Sequence, residues 1–206
     1  MVKKIYLGGG ADIRKGESDE IDKKALNEAD NKNVLIINLT TNDKEKIISY
    51  RNYLDSYFNR LGAKNINFVS ELNNYDIKNN FESSGFLYIP GGDTQILIDN
   101  IKKKKLDSLI KNFKGIIMGN SAGAMILCNE SICANEGREI MKGLGLVSLA
   151  IDVHYEHTHD KRLKELSKIR DIYAIPEKSL IVLKDNEKIY IGDMYLFSKG
   201  EKTKIN

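Results

Sequence analysis

Short apolar segments alternate with longer amphipathic stretches along most of this sequence, and this alternation constrains the fold more than any other feature. The apolar segments are rich in β-forming residues and cover residues 4–7, 34–39, 66–69, 86–89, 116–118 and 149–153. Short, uniformly apolar segments are typical of strands buried on both faces. Because strands joined by helices pair in parallel, the sequence predicts an α/β protein, a three-layer α/β/α sandwich with a mainly parallel central sheet.

Residues 44–61 give the clearest helical pattern. Apolar side chains such as Leu54 and Phe58 recur there at three- and four-residue intervals. Asp43 is a suitable N-cap, since its carboxylate can accept hydrogen bonds from the first free amides, and Gly62 can end the helix. We therefore predict one helix across this range.

The pattern changes after residue 177. Strands are predicted at residues 180–184, 188–191 and 194–197, and the pairs Asp185-Asn186 and Gly192-Asp193 separate them. Turn-forming residues between short strands indicate antiparallel hairpins. We expect a C-terminal β-meander at one edge of the sheet.

The chain has 206 residues, only two prolines and no Ser/Gly-rich linker, so we expect one domain over residues 1–206. The polar, glycine-rich segment 8–20 is expected to be a loop. A net charge of +3, with mostly scattered basic residues, argues against a nucleic-acid partner. The sequence has no signal-peptide pattern and no apolar run of about 18 residues, so we expect a cytoplasmic protein that does not span a membrane.

The segment GNSAG, residues 119–123, matches the pattern G-x-S-x-G and follows a predicted strand. In a strand–turn–helix context the serine stands exposed at a tight elbow, and its flanking glycines avoid a clash between a Cβ and the neighbouring backbone. Ser121 is therefore the candidate nucleophile, and the amide of Ala122 is a candidate oxyanion donor. The glycine pair in PGGDT can supply the second donor, with Gly92 as first choice and Gly91 as the alternative.

All three histidines of the chain lie within residues 152–160. A serine nucleophile needs a base, normally a histidine that a carboxylate orients. His154 stands at the end of a predicted strand, which positions a side chain more rigidly than a loop does, so it is the first candidate; His157 and His159 are alternatives. The residues alone leave the carboxylate open, and the candidates are Asp152, Glu136, Glu156 and Glu177.

A rival interpretation is a metal-dependent hydrolase. His154, His157 and His159, with Asp152 or Asp160, could supply zinc ligands, but HxxHxH is not a standard ligand spacing and leaves the serine elbow without a role. We therefore predict no metal and no cofactor. A non-catalytic domain that binds a small ligand or acts as a sensor is the remaining alternative.

Four segments, YIPGGDT, GNSAGA, DVHY and IPE, resemble the peptidase E (aspartyl dipeptidase) and cyanophycinase family of serine peptidases. The resemblance covers residues 88–177 and implies a fold similar to class I glutamine amidotransferases. It also implies a Ser-His-Glu triad, which falls on Ser121, His154 and Glu177. Class I amidotransferases carry a cysteine at the elbow, so the serine in this chain argues against glutamine amide transfer.

The resemblance further implies a serine-type peptidase that hydrolyses small peptides, dipeptidase-like, with cleavage after acidic residues as one option. In aspartyl dipeptidases an arginine just after the catalytic histidine is expected to bind the acidic side chain. His159 occupies that place in this chain, and Arg162 follows three residues later. We expect His159, Arg162 and Gly91 to contact a small-peptide substrate, in a monomer or a homodimer.

Overall fold

The structure is a computed structural model that describes residues 4–132, 140–185 and 187–206. Its strands are β1 (Lys4–Gly8), β2 (Asn33–Ile36), β3 (Asn65–Phe68), β4 (Phe86–Ile89), β5 (Ile116–Asn120), β6 (Cys128–Ile132), β7 (Ile140–Lys142), β8 (Val147–Val153), β9 (Ile172–Ile175), β10 (Leu180–Lys184), β11 (Glu187–Ile191), β12 (Tyr195–Ser198) and β13 (Glu201–Lys204). Its helices are α1 (Asp19–Asn27), α2 (Lys44–Leu61), α3 (Asn74–Ser83), α4 (Thr94–Lys103), α5 (Asp107–Asn112), α6 (Ala122–Leu127) and α7 (Asp160–Leu166). No helix in the described ranges is long and apolar enough to cross a membrane.

Among the described strands, seven form a first sheet in the order β11-β10-β1-β5-β4-β2-β3. Neighbouring strands in the part β1-β5-β4-β2-β3 pair in parallel. On the other side of β1, β10 pairs antiparallel with β1, and β11 pairs antiparallel with β10. This confirms the predicted mainly parallel sheet. At its carboxyl edge Gly8 lies beside Asn120, and Ile89 lies beside Gly119. Open α/β sheets place their functional sites at this edge.

Helices cover both faces of the first sheet. On one face, Leu26 of α1 and Phe58 of α2 join Tyr88 of β4 in one apolar cluster. On the other face, Leu97 of α4 joins Leu87 of β4 in a second cluster, which also includes side chains of α3, α5 and α6. Side chains of β4 therefore alternate between the two clusters, as a strand buried on both sides requires. The predicted α/β class is confirmed.

A second sheet of described strands has the order β13-β12-β9-β8-β6-β7, with β6, β8 and β9 in parallel. One face packs into the central cluster of the first sheet through Ile151 and Ile175. The opposite face packs on Leu163 of α7. β8 corresponds to the strand predicted at residues 149–153, but it lies in this second sheet rather than in a single central sheet, and the sequence does not predict β6, β7, β9 or β13. Residues 128–132 directly follow α6 and mix polar with apolar side chains, so their sequence does not show the apolar pattern of a buried strand.

The C-terminal strands do not form one meander at one edge, and this expectation is corrected. β10 and β11 form a hairpin that pairs with β1 in the first sheet. β12 and β13 form another hairpin that pairs with β9 in the second sheet. Gly192, at φ +77°, lies between the hairpins. The predicted turn at Gly192-Asp193 is therefore a crossing between sheets, because Phe197 of β12 is buried against α7 and β9 rather than beside β11.

Two local expectations have different outcomes. Helix α2 has the predicted bounds, and the Asp43 carboxylate accepts hydrogen bonds from the amides of Glu45 and Lys46 at 3.0 and 3.2 Å. Segment 8–20 is not only a loop, because residues 13–15 form a helical turn that Asp12 caps, and α1 begins within the segment. Gly9 of this segment lies against Ile175 of β9 and Pro176, and Gly10 lies against the ring of His154.

A buried carboxyl group connects α1 to α2. Asp22 of α1 is 3% exposed and accepts hydrogen bonds from the hydroxyls of Tyr57 and Ser18. Burial disfavours the charged carboxylate and raises the pKa of Asp22 to about 6, although the two hydrogen bonds oppose this shift. At a pH between the ordinary pKa of an aspartate and this raised pKa, Asp22 keeps its proton in the folded protein but has released it in the unfolded chain.

This proton linkage predicts that the free energy of unfolding falls as the pH rises from about 4 to about 6. A rise in pKa from 3.8 to about 6 corresponds to a loss of about 3 kcal/mol. Asp22→Asn, which keeps an oxygen acceptor for Tyr57, should remove this component. Urea unfolding at pH 4, 5, 6 and 7 measures it, with the exposed Asp30→Asn as control. Equal pH slopes for Asp22→Asn and wild type would show that Asp22 has no raised pKa.

Candidate active site

Ser121 lies in the sharp turn between β5 and α6. Its backbone has φ +50° and ψ −114°, a region that residues with a Cβ rarely adopt. The flanking glycines permit this turn. A Cβ on Gly123 would stand 1.9 Å from the carbonyl oxygen of Ile89, and a Cβ on Gly119 would stand 2.5 Å from Gly123. The predicted elbow is therefore present, and close backbone packing explains both glycines.

A chain of hydrogen bonds extends from this serine through a histidine to a glutamate. Ser121 Oγ lies 2.7 Å from Nε2 of His154, and Nδ1 of His154 lies 3.2 Å from Oε1 of Glu177. His154 directly follows β8, has φ +51°, and donates its backbone N–H to the carbonyl of Gly9. The side chains of His154 and Glu177 are 41% and 60% exposed, so the pair opens to solvent.

The register of the second sheet brings the histidine and the glutamate together. Val153 of β8 pairs with Ile175 of β9 in parallel, so both strands end at the same edge. His154 is the next residue after the first strand, and Glu177 follows the second after one proline. Neighbouring parallel strands thus deliver the two side chains to one point, although 23 positions separate them in the sequence.

The other candidate carboxylates do not share this arrangement. Asp152 is fully buried, and its Oδ2 lies 2.9 Å from Nδ1 of His159. Glu156 is exposed at the start of the helical turn His157–His159. Glu136 lies outside the described residues. Among the described residues, the carboxylate that contacts the ring of His154 is that of Glu177.

The three histidines do not converge on one point. The ring of His154 faces Ser121, the ring of His159 is bound to Asp152, and Nδ1 of His157 lies 2.9 Å from Nζ of Lys202. Within the part of the chain that the structure describes, no group of three or more histidine, cysteine, aspartate or glutamate side chains could hold a metal ion. The arrangement therefore does not support the alternative of a zinc site.

Two segments that carry the candidate oxyanion donors lie beside the serine. Ala122 is the first residue of α6, where an amide has no acceptor within its helix. On the other side runs the loop after β4, in which a Cβ on Gly91 would stand 3.3 Å from Cβ of Ser121. Gly92, at φ +135°, packs against the side chain of Thr40. Of the predicted donors, Ala122 follows Ser121 in the chain, Gly91 lies against Ser121, and Gly92 is the residue after Gly91.

The sequence profile of peptidase family S51 matches residues 5–197. This chain belongs to peptidase family S51. It is a serine-type peptidase, and the match confirms the family that its sequence motifs indicated. Among curated proteins, no sequence matches it significantly.

Solved structures of two similar proteins share the fold of this S51 peptidase. A peptidase from an acI-B1 actinobacterium has a TM-score of 0.72 at 16% identity, over 100% of this chain and 94% of the other. A protein from Listeria monocytogenes EGD-e, described as a peptidase E, has a TM-score of 0.68 at 18% identity, over 93% of this chain and 98% of the other. At 16% and 18% identity, the similarity shows a shared fold and nothing more specific.

The residues predicted to contact substrate lie in different environments in this S51 peptidase. His159 is 5% exposed, and Asp152 binds its ring, so the imidazole offers little surface to a ligand. Arg162 is half-buried on α7. Gly91 is the one of the three that the structure brings against Ser121. Direct substrate contact by His159 and Arg162 remains a prediction.

One part of the S51 site was not predicted from sequence, namely the glycines after β1. A Cβ on Gly10, at φ +136°, would stand 2.3 Å from Cε1 of His154, so only glycine leaves room for the ring. The carbonyls of Gly9 and Gly10 accept hydrogen bonds from the amides of His154 and Lys178 at 2.8 and 2.7 Å. The signal in the sequence is three successive glycines, residues 8–10, directly after the predicted strand 4–7.

Proposed function

We propose that this S51 peptidase is dipeptidase-like and hydrolyses peptide bonds of small peptides with a Ser121-His154-Glu177 triad. The observation that carries the proposal is the continuous contact from Oγ of Ser121 to Nε2 of His154 at 2.7 Å, and from Nδ1 of His154 to Glu177 at 3.2 Å. The similarity to a Listeria protein described as a peptidase E supports a small-peptide substrate.

In the acylation step, Oγ of Ser121 bonds to the carbonyl carbon while its proton passes to Nε2 of His154. The carbonyl oxygen becomes an oxyanion, which the amides of Ala122 and of Gly92, or of its neighbour Gly91, stabilise. The C–N bond then breaks as Nε2 returns the proton to the leaving amine.

In deacylation, water attacks the acyl-enzyme, and its proton passes to Nε2 of His154. The proton then returns to Oγ of Ser121 as the acid product leaves. Glu177 accepts the Nδ1–H of His154 throughout, which keeps the lone pair on Nε2 and stabilises the imidazolium. This assignment places the proton on Nδ1 in the resting protein, a choice that the carboxylate partner favours.

Labelling with a fluorophosphonate tests the nucleophile. We expect one phosphonylated residue, Ser121, because an elbow serine next to a histidine base is activated whereas an ordinary hydroxyl is not. Peptide mass spectrometry after labelling locates the adduct. His154→Ala should lose labelling, and Ser56→Ala, which removes an exposed helix hydroxyl, should keep it.

The same experiment separates the proposal from its alternative. A wild-type protein that resists labelling, but that binds dipeptides in calorimetry without forming products, would be a non-catalytic binding domain. Label on a residue other than Ser121 would reject the nucleophile assignment.

A further inference from the structure

Three successive backbone carbonyls at the end of β1 bind the three segments that carry the candidate triad. The carbonyls of residues 8, 9 and 10 accept hydrogen bonds, in this order, from the amides of Ser121, His154 and Lys178, at 2.9, 2.8 and 2.7 Å. Lys178 directly follows Glu177. Residues 8–10, the glycine segment, therefore contact the backbone of the nucleophile, of the base and of the residue next to the carboxylate.

All three donors of these hydrogen bonds have a backbone conformation that residues with a Cβ rarely adopt. Ser121, His154 and Lys178 have φ values of +50°, +51° and +61°. Such conformations are unfavourable by themselves and persist only where the surrounding contacts hold them. The hydrogen bonds to the glycine segment are contacts of this kind. The geometry of the triad therefore depends on how firmly residues 8–10 are held in place.

The position of Glu177 depends most on this segment. Its side chain is 60% exposed, so its position is set mainly by the backbone that carries it. The glycine segment packs directly on that backbone, because the amide of Gly9 donates to the carbonyl of Ser179 at 2.9 Å. A Cβ on Gly9 would stand 2.3 Å from the carbonyl oxygen of Pro176, so the two chains are in close contact before and after the glutamate.

An ion pair joins the same two chains farther from the serine. Oε1 of Glu17 lies 2.9 Å from Nζ of Lys178, and Oε2 of Glu17 accepts a hydrogen bond from the amide of Asp12 at 2.9 Å. The Lys178 ammonium and this amide hold the pKa of Glu17 below its usual range, so the carboxylate is charged at neutral pH. One carboxylate thus binds the chain that follows the glycine segment and the residue that follows Glu177.

We propose that the Glu17–Lys178 ion pair holds the glycine segment against the triad, which makes Glu17 and Lys178 positioning residues for Glu177. The inference rests on the proposed function and adds two residues outside the triad and the oxyanion donors. Neither side chain takes part in a bond-making step. Without the ion pair, the unfavourable conformation at Lys178 is less restrained, and the carboxylate of Glu177 spends less time at Nδ1 of His154.

The variants Glu17→Gln and Lys178→Gln test this role by dipeptide kinetics and by the rate at which a fluorophosphonate labels Ser121. In each variant we expect kcat and the labelling rate to fall about three- to fivefold, with KM within about twofold, because an exposed ion pair contributes at most about a factor of five. The double variant should lose no more than either single variant, since the two side chains act as one unit. Lys178→Arg keeps the charge and should restore most of the rate.

A mutant cycle with Glu177→Gln separates positioning from a general structural role. If the ion pair acts through Glu177, then Glu17→Gln should cause almost no further loss of kcat in the Glu177→Gln background. The matched control is Lys15→Gln, which removes an exposed ammonium 3.4 Å from Asp12 in the same segment and should keep the wild-type rate. Losses that multiply in the cycle, or an equal loss in Lys15→Gln, would reject the proposal.

Hydrogen exchange with mass spectrometry tests the same contact without catalysis. Peptides that cover residues 8–18 and 176–180 should exchange about three- to fivefold faster in Glu17→Gln than in wild type or Lys15→Gln, because a weaker contact permits more local opening. Unchanged exchange with unchanged labelling in Glu17→Gln would reject the ion-pair role alone. A wild-type protein that is not labelled would reject the proposed function, whereas faster exchange in Glu17→Gln would still support the contact.

Discussion

Ser121→Ala is expected to lower kcat for peptide hydrolysis by about 10⁶-fold. Without Oγ, no covalent intermediate forms, and only binding and the oxyanion amides still act on the carbonyl. Ser121 is half-buried at the elbow rather than packed in the core, so the fold should persist. Product formation from dipeptides, followed by chromatography, measures the loss, and Ser56→Ala serves as the unaffected control.

The double variant Ser121→Ala/His154→Ala sharpens this prediction. Because the serine and the histidine act as one unit, the second substitution should cause almost no additional loss. A kcat for Ser121→Ala above about 1% of wild type would place the nucleophile elsewhere, since loss of an activated nucleophile in a triad costs far more than 100-fold.

Glu177→Gln is expected to lower kcat by about 10²–10⁴-fold with a much smaller change in KM. Glutamine can donate a hydrogen bond to Nδ1 and so favour the wrong tautomer of His154, and it does not stabilise the imidazolium. The 60% exposure of the Glu177 side chain screens its charge, so we expect a value in the lower part of this range. Steady-state kinetics with a dipeptide at a fixed pH measure the effect.

Two matched substitutions distinguish the role of Glu177 from a general effect of carboxylates in this region. Glu156→Gln, in the loop after His154, should change kcat less than about twofold, in keeping with a surface carboxylate. Asp152→Asn should weaken the buried contact with His159, so its main effect should be a lower free energy of unfolding. Wild-type turnover in Glu177→Gln, with a large loss in Asp152→Asn, would transfer the orienting role to Asp152.

The candidate nucleophile could be predicted from sequence because its signals are local. An apolar strand, two glycines around a serine and a following run of small residues occupy one short segment, and each depends on neighbours within a few positions. The same holds for α2, where the cap at Asp43 and the stop at Gly62 are decided by adjacent backbone amides. Such features need no knowledge of the remaining chain.

The orienting carboxylate could not be derived from the residues alone. Asp152 and Glu156 are nearer to His154 in sequence than Glu177 is, and each of these carboxylates has the chemistry needed to orient a histidine. The choice depends on which strand β9 pairs with and in which register, and it is the pairing of Val153 with Ile175 that carries Glu177 to the ring. The family resemblance implied Glu177 because it already contains this long-range information.

The sequence by itself determined the α/β class, the helix α2 and the serine elbow of this protein. Only the tertiary structure decided that the strands divide between two sheets, that the C-terminal hairpins go to different sheets, and that Glu17 pairs with Lys178. The physical reason is the range of the interactions. Periodicity, caps and close-packed glycines act over a few residues, whereas partner and register are chosen by apolar packing between segments that are distant in the chain.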